Sequence, residues 1–290
     1  MDRVQPHLST HSSCILDRHF TSDEVRVAAF SIAPTKAPGL DGLPGLFYHK
    51  FRDLVGPKVT AECLRCLNDG GSLEAVNGTL VVLIPKVKNP VRITEFRPIS
   101  LCNVIYKIVA KVIANRLLLV LDEVISNSQS AFIPGRLIAD NALIGFECLY
   151  AIQNQKRNVG SFALKLDMSK AYDRVEWDFL ALMMGKLGFS SQWIDKVMNC
   201  VSTVCFSFAI NGEVCGSVKP SRGLRQGCPL SPYLFLLCAK SLSSVINAVV
   251  RDSSLSGFQC KRAGPTISHL FFADDSLLFS KATDRDCTNI

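Results

Sequence analysis

Three features of the sequence predict an α+β fold. Helical and strand patterns mix along the chain without a regular βαβα alternation. Two stretches, "CFSFAINGEVCGSV" and "HLFFADDSLLFSK", have the form of β-hairpins. The composition, 48% hydrophobic and 20% charged over 290 residues, is globular and supplies a core for one large domain or two smaller ones.

From the N-terminus, Thr21-Ser22-Asp23-Glu24 has the form of a capping box ahead of a short helix. Three prolines and three glycines between Ala33 and Gly45 make a loop that enters a helix. Pro57 suits the first position of the next helix, which Gly70-Gly71 ends. "GTLVVLIPKVKNP" is a β-branched strand leaving into a basic loop. Asn103 to Ser126 is the longest helical pattern, with Val104, Ile108, Val112 and Leu119 as its apolar stripe and Lys107, Lys111 and Arg116 between them. Asp140 opens a further helix. In "SFALKLDMS", Phe162, Leu164 and Leu166 alternate with Ala163, Lys165 and Asp167, the period of a strand. Helices around "WDFLALMMGKLGF" and "SQWIDKVMNCV" precede the first hairpin, whose turn is Asn211-Gly212. Ser231-Pro232 begins the next long helix as N-cap and first residue. Its stretch "YLFLLCAKSLSSVINAVV" is broken by Lys240 and serines, so it reads as a buried amphipathic helix and not a membrane span. The second hairpin carries Asp274 and Asp275 at its tip.

The excess of 32 Lys+Arg over 25 Asp+Glu, +7 in all, fits a polyanionic partner. The 12 cysteines are scattered, apart from Cys63 and Cys66, which fall on one face of a helical pattern and read as core thiols. That usage suits a reducing compartment. His7, His11, Cys14 and His19 match no zinc spacing and read as a polar lead-in. Nothing at the N-terminus has the architecture of a secretion signal, so the sequon Asn77-Gly78-Thr79 has no evident glycosylation role.

Three elements carry chemistry. Asp167 ends a strand at a loop, a usual place for a metal ligand or acid–base residue; the bland alternative is a helix N-cap, which Ser169 could supply instead. Asp274 and Asp275 stand side by side between apolar runs, where like charges oppose each other unless a cation neutralises them. A plain hairpin turn would also use Asp, but no Gly or Asn follows to supply a positive φ. A pair of divalent ions accounts for such carboxylates, since Mg²⁺ prefers carboxylate oxygens together with substrate phosphates. The third element is "PSRGLRQGCPLSPYLF", where Gly223 and Gly227 allow close backbone approach, Arg222 and Arg225 supply charge, and Gln226 supplies an amide.

"KLDMSKAYDRV", "SRGLRQGCPLSPYLF" and "FFADDSLLF", in that order, resemble motifs A, B and C of a reverse transcriptase. The wider chain resembles the polymerases of non-LTR (long interspersed element type) retrotransposons, plant members most closely. "KAPGLDGLPGLFYHKF" resembles their N-terminal extension, "LVVLIPKVKNPVRITEFRPISLCNVIYKIVAKVIANRL" their fingers motifs, and "SQSAFIPGRLIADNAL" the segment joining fingers to palm. The resemblance runs from about Lys36 to about Lys281. It implies a right-hand polymerase: residues 1–35 a polar lead-in with a short helix, 36–78 the extension, 79–160 fingers, and 161–290 palm.

The resemblance also implies roles. Asp167, Asp274 and Asp275 would hold two Mg²⁺ ions, with Mn²⁺ as a substitute, and the Met168 carbonyl would complete one shell. Tyr172 would be the steric gate that rejects a ribose 2′-hydroxyl; without the motif it reads as a core aromatic. Gln226 and Gly227 would lie against the incoming base pair. Arg97 and Lys86 would contact triphosphate or template phosphates, the alternative being solvated loop charges. Phe272 stands where retroviral enzymes often have Tyr, and Lys240 where relatives often have an acidic residue. The implied partners are an RNA template, a DNA primer and dNTPs, with no membrane; oligomeric state is not legible. Localisation is not encoded by any visible address, although reverse transcription of this type would act on nuclear DNA.

In the family, motif C is followed by motif D, a primer grip and a helical thumb. The sequence ends at Ile290, 15 residues after Asp275, so a truncated fingers-and-palm piece without a thumb is expected. Two functions follow from that expectation: an RNA-directed DNA polymerase domain, or a catalytically incompetent retroelement remnant. Another two-metal nucleotidyl transferase or cyclase fits the carboxylates alone, but not the other motifs.

Overall fold

A computed structural model describes residues 8–156, 159–261 and 264–290. The chain opens with four helices: α1 (Thr10–Asp17), α2 (Ser22–Ser31), α3 (Gly45–Lys50) and α4 (Arg52–Asn68). The strands β1 (Gly78–Pro85) and β2 (Phe96–Cys102) follow, then α5 (Val104–Leu118), α6 (Leu121–Val124) and α7 (Ile138–Asn154). Next come β3 (Ser161–Asp167), α8 (Trp177–Leu187), α9 (Ser191–Ser202) and the hairpin β4 (Cys205–Ile210) and β5 (Glu213–Val218). The chain closes with α10 (Ser231–Arg251), the hairpin β6 (His269–Phe272) and β7 (Asp275–Lys281), and α11 (Asp284–Asn289).

The strands form two sheets. One has the order β2-β1-β4-β5, with β1 and β4 parallel and the outer pairs antiparallel. The other has the order β3-β7-β6 and is antiparallel throughout. The mixed α+β character expected from the pattern is present, and both hairpins form. The turn Asn211-Gly212 has positive φ at both residues (53° and 87°), the geometry that matches strand twist across a two-residue connection.

The largest core gathers around α5, whose Tyr106, Ile108, Val109, Val112, Ile113 and Leu117 are all buried among residues of α2, α4, α8, α9 and α10. Cys63 and Cys66 are free and buried there, as expected of core thiols. The helical pattern from Asn103 to Ser126 breaks after Leu118, and α6 is a separate short helix. Leu119, expected on the apolar stripe, is 64% exposed beyond that break. Arg116 and Lys107 lie inside instead. The Arg116 guanidinium bonds to Glu24 (2.7 and 2.9 Å), to the carbonyls of Leu16, Arg18 and His19, and covers the Phe20 ring. A long cation is thus buried by satisfying its donors, which hydropathy alone cannot show.

The capping box of α2 forms, with Thr21 and Glu24 bonding reciprocally. Two other boundaries differ from expectation. α4 starts at Arg52, so Pro57 lies within the helix. Pro57 and Asp53, four residues before it, are both exposed, on the solvent side of the helix where a lost backbone bond is least costly. The N-cap of α10 is Leu230, one residue before Ser231-Pro232, which occupy the first two helical positions. α10 is the one helix among the described residues that is long and apolar enough to cross a membrane. Its apolar side is packed against α5, α8 and the three-stranded sheet.

That sheet lies between two helices. On one face Leu164, Phe271 and Leu278 meet Leu242, Ile246, Val249 and Val250 of α10. On the other, Ala163, Leu270, Leu277 and Phe279 meet Cys148, Ala151 and Ile152 of α7. From the sequence, the sheet bearing Asp167 and the Asp274–Asp275 hairpin is expected to rest on the helices beginning near Trp177 and Pro232; α10 does pack on it, but α8 packs on α10 and α9, and α7 covers the other face. His7 lies outside the described residues.

Candidate active site

Antiparallel pairing sets Asp167, the last residue of β3, opposite Asp275, the first of β7. Facing residues in such a pair have Cα atoms about 4.5–5.5 Å apart. Asp274 precedes Asp275 in the two-residue turn from β6. Residues 108 positions apart in sequence (275 − 167) are thereby brought to one end of one sheet. Neither Asp167 nor Ser169 caps a helix: a short 3-10 turn spans Tyr172–Arg174, and α8 has Glu176 as its N-cap.

The turn meets its need for positive φ without glycine or asparagine, because Ala273 adopts φ 52°. A left-handed Ala costs about 1–2 kcal/mol and persists only where its surroundings hold it. Gln129 does so. Its buried amide accepts from the Ala273 N–H (3.0 Å) and donates to the Ala273 carbonyl (3.4 Å). Backbone bonds of Phe271 to Ser128 and Ser130 carry the same segment alongside β6. In the sequence this stretch resembles only a segment joining fingers to palm, and no periodicity distinguishes Gln129 from its neighbours.

Asp275 is paired with Lys165 on the same sheet face (3.4 Å), both side chains being more than half exposed. Among the described residues, no three His, Cys, Asp or Glu side chains converge as a ready-made metal cage. The donor set nevertheless suits a hard divalent cation: three carboxylates at one sheet end, Asp167 and Asp275 exposed and Asp274 half-buried, with Lys165 ion-paired to Asp275.

Tyr172 is half-buried and stacks on Phe235 of α10, with ring centroids 5.4 Å apart and planes 8° from parallel. Burial and the nearby Asp274 carboxylate push its phenol up to about 12. Phe235, which the sequence reading did not single out, lines a cavity of 570 Å³ with Asp167, Met168 and Phe179.

The loop from Ser221 to Gly227 is tied to this floor. The Leu224 N–H donates to the Tyr172 carbonyl (2.8 Å), and the Trp177 indole donates to the Gly223 carbonyl (2.9 Å). The Ser100 N–H donates to the Gln226 carbonyl (2.9 Å), joining the loop to β2. Gly227 has φ 114°, and a Cβ there would come 2.8 Å from the Ser100 oxygen, so the position requires glycine. The expected charges of the loop part company. Arg222 is exposed and ion-paired to Glu176 (2.9 Å), whereas Arg225 is buried and does not face solvent.

Arg97 lies opposite Ile84 in the β1–β2 hairpin, exposed and without an ion pair among the described residues. Lys86 follows β1, and its ammonium donates to the Thr94 carbonyl (3.2 Å). A second cavity, of 550 Å³, adjoins Gly227 and is lined by Lys36, Lys107 and Lys111 together with Ile99 and Tyr233. Lys107 donates to the Ala37 carbonyl (3.1 Å), and burial, with Lys36 close by, holds its ammonium below the ordinary lysine range.

Residues 84–289 match the family described as reverse transcriptase (RNA-dependent DNA polymerase). Across 92% of its length the chain is 30% identical to the transposon TX1 uncharacterized 149 kDa protein of Xenopus laevis. It is 26% identical over 90% of its length to the Pol polyprotein of the type-2 retrotransposable element R2DM of Drosophila melanogaster. It is 28% identical over 77% of its length to the RNA-directed DNA polymerase from the Drosophila mobile element jockey. The chain spans 20%, 23% and 24% of these relatives, respectively. Reverse transcriptases in general use divalent metal ions and act on nucleic-acid templates and primers with dNTPs. With its matched residues running through both sheets, the chain belongs to the reverse transcriptase family, as a polymerase domain of the non-LTR retrotransposon type.

Proposed function

We propose that this chain extends a DNA primer on an RNA template, with Asp167, Asp274 and Asp275 as its catalytic carboxylates. The observation that carries the reading is the cross-strand pairing of Asp167 with Asp275, with Asp274 in the adjoining turn. In this reading residues 36–78 are the N-terminal extension, 79–160 the fingers and 161–290 the palm of a plant element's polymerase.

In the reaction the primer 3′-oxygen attacks the α-phosphorus of a dNTP and pyrophosphate leaves. Two Mg²⁺ ions, or Mn²⁺, held by the three carboxylates and the Met168 carbonyl would neutralise the triphosphate and lower the pKa of the attacking hydroxyl. The protein's own part is alignment. Tyr172, stiffened by Phe235, forms a floor against which a 2′-hydroxyl would clash. Gln226 and Gly227 present a flat edge to the new base pair, and Arg97 and Lys86 offer charge to phosphates. The lysine-lined cavity beside Gly227 adds positive charge along the nucleic-acid path.

Primer extension on poly(rA)/oligo(dT) with Mg²⁺ tests the reading. Extension by the wild-type chain that is lost in both Asp167→Ala and Asp275→Ala supports it. No extension by the wild type, or extension that survives either substitution, overturns it. Ribonucleotides used as readily as deoxynucleotides would remove the gate role of Tyr172.

A further inference from the structure

Arg225 is 5% exposed, and among the described residues no carboxylate lies within ion-pairing distance of it. A buried cation without a counter-ion is costly unless its donors are satisfied. Here they are. One terminal nitrogen donates to Asn77 Oδ1 and to Thr79 Oγ1 (3.1 Å); the other donates to the Cys200 carbonyl (2.8 Å). The plane of the guanidinium lies over the Tyr106 ring, 4.0 Å from its centroid.

The Cys200 carbonyl lies in the last turn of α9, where the helix presents its negative end. That carbonyl also accepts from Asn77 Nδ2 (3.1 Å) and the Tyr106 hydroxyl (3.3 Å). A helix terminus and oriented neutral acceptors therefore replace a carboxylate. Asn77 and Thr79, the two functional positions of the sequon, are fully buried as acceptors for this arginine.

Arg225 joins three elements: β1 through Thr79 and through Asn77 just before it, α5 through Tyr106, and α9 through Cys200. Its immediate neighbours in sequence are the residues that bond to Tyr172 and Ser100, namely Leu224 and Gln226. Resting on the function proposed above, we infer that Arg225 is a positioning residue: by anchoring the loop beneath the nucleotide it fixes Gln226, Gly227 and the Tyr172 backbone, and so sets both dNTP affinity and sugar selectivity.

Two arms test this with Arg225→Lys and Arg225→Met. Hydrogen exchange of the free chain is expected to rise at least tenfold across 222–228, while the amides of α10 keep wild-type protection. In primer extension, KM for dNTP should rise about tenfold, and the preference for dNTP over rNTP should fall, since the gate loses its tether. A merely structural arginine would lower the active fraction and kcat while leaving KM, selectivity and local exchange as in the wild type; that result would overturn the inference. If Arg225→Met does not fold, Arg225→Lys, which keeps the charge but loses the planar fork, decides. If the wild type extends no primer, the proposed function fails, and the exchange arm still decides whether Arg225 anchors the loop.

Discussion

Lys165 ion-pairs with Asp275 (3.4 Å) from a position two residues before Asp167 on the same strand. A lysine there would compete with any divalent cation held by the carboxylates under the proposed function. An exposed pair of this kind contributes at most about 1 kcal/mol, or roughly fivefold in an equilibrium. Replacing Lys165 with Ala should therefore lower the Mg²⁺ concentration for half-maximal primer extension by about two- to fivefold. A magnesium titration checks this; an unchanged or raised midpoint would show that the pair does not oppose metal binding.

Gln129 holds the strained turn at Ala273 through two hydrogen bonds. Gln129→Ala should cost about 1–3 kcal/mol, since it leaves the partly buried Ala273 backbone groups unpaired. Ala273→Gly in that background should recover part of the loss by relieving the left-handed strain. Urea denaturation of the single and double variants measures both. Additive losses would mean that the two residues are not coupled.

Acid should unfold the helical end of the molecule through Glu24. Burial opposes its charge, but hydrogen bonds from Arg116 and the Thr21 backbone hold its carboxyl down at about 2, against 4.5 ordinarily. A depressed carboxylate contributes stability that is fully present above pH 4.5 and lost as the pH falls toward 2. Glu24→Gln should flatten the stability profile across that window. Arg116→Met should destabilise at neutral pH by about 3 kcal/mol, because it breaks a largely buried pair. Melting temperatures recorded between pH 2 and 7 distinguish the two.

The lysine-lined cavity beside Gly227 should grip nucleic-acid phosphates. Lys36→Ala and Lys111→Ala should each weaken binding of a single-stranded oligonucleotide similarly across sequences. Each should also reduce the slope of log affinity against log salt by about 1. Fluorescence anisotropy over a salt series reads this directly, and an unchanged slope would take the strand elsewhere.

Much of the fold could be read in local chemistry. The period-2 alternation of β3, the Asn211-Gly212 turn and the Thr21–Glu24 capping box are decided by a few adjacent residues, and each appears where expected. Asp167, Asp274 and Asp275 stand out as a set in the sequence only through the resemblance of three ordered motifs to a known family; their meeting at one sheet end is decided by pairing across more than a hundred residues. What sequence could not show is what long-range burial decides. Arg116 and Arg225 read as surface charge, yet both are enclosed by acceptors from distant segments. Gln129 and Phe235 sit in unremarkable runs and gain their roles only when β6 and the 3-10 turn arrive beside them. Pro57 and Ser231 were misplaced by a turn or a residue because helix starts depend on which face meets solvent.

The parallel pairing of β1 with β4 carries a consequence for synthesis. Gly78 pairs with Cys205, 127 residues later (205 − 78), and Asp167 pairs with Asp275, 108 residues later (275 − 167). Neither sheet can close until β4 and β7 have left the ribosome, so the β1–β2 hairpin stands with an open edge in the meantime. Contacts of such high sequence separation slow folding and lengthen exposure to misassociation. The three carboxylates come to one sheet end only when the strand bearing Asp275 slots between β3 and β6.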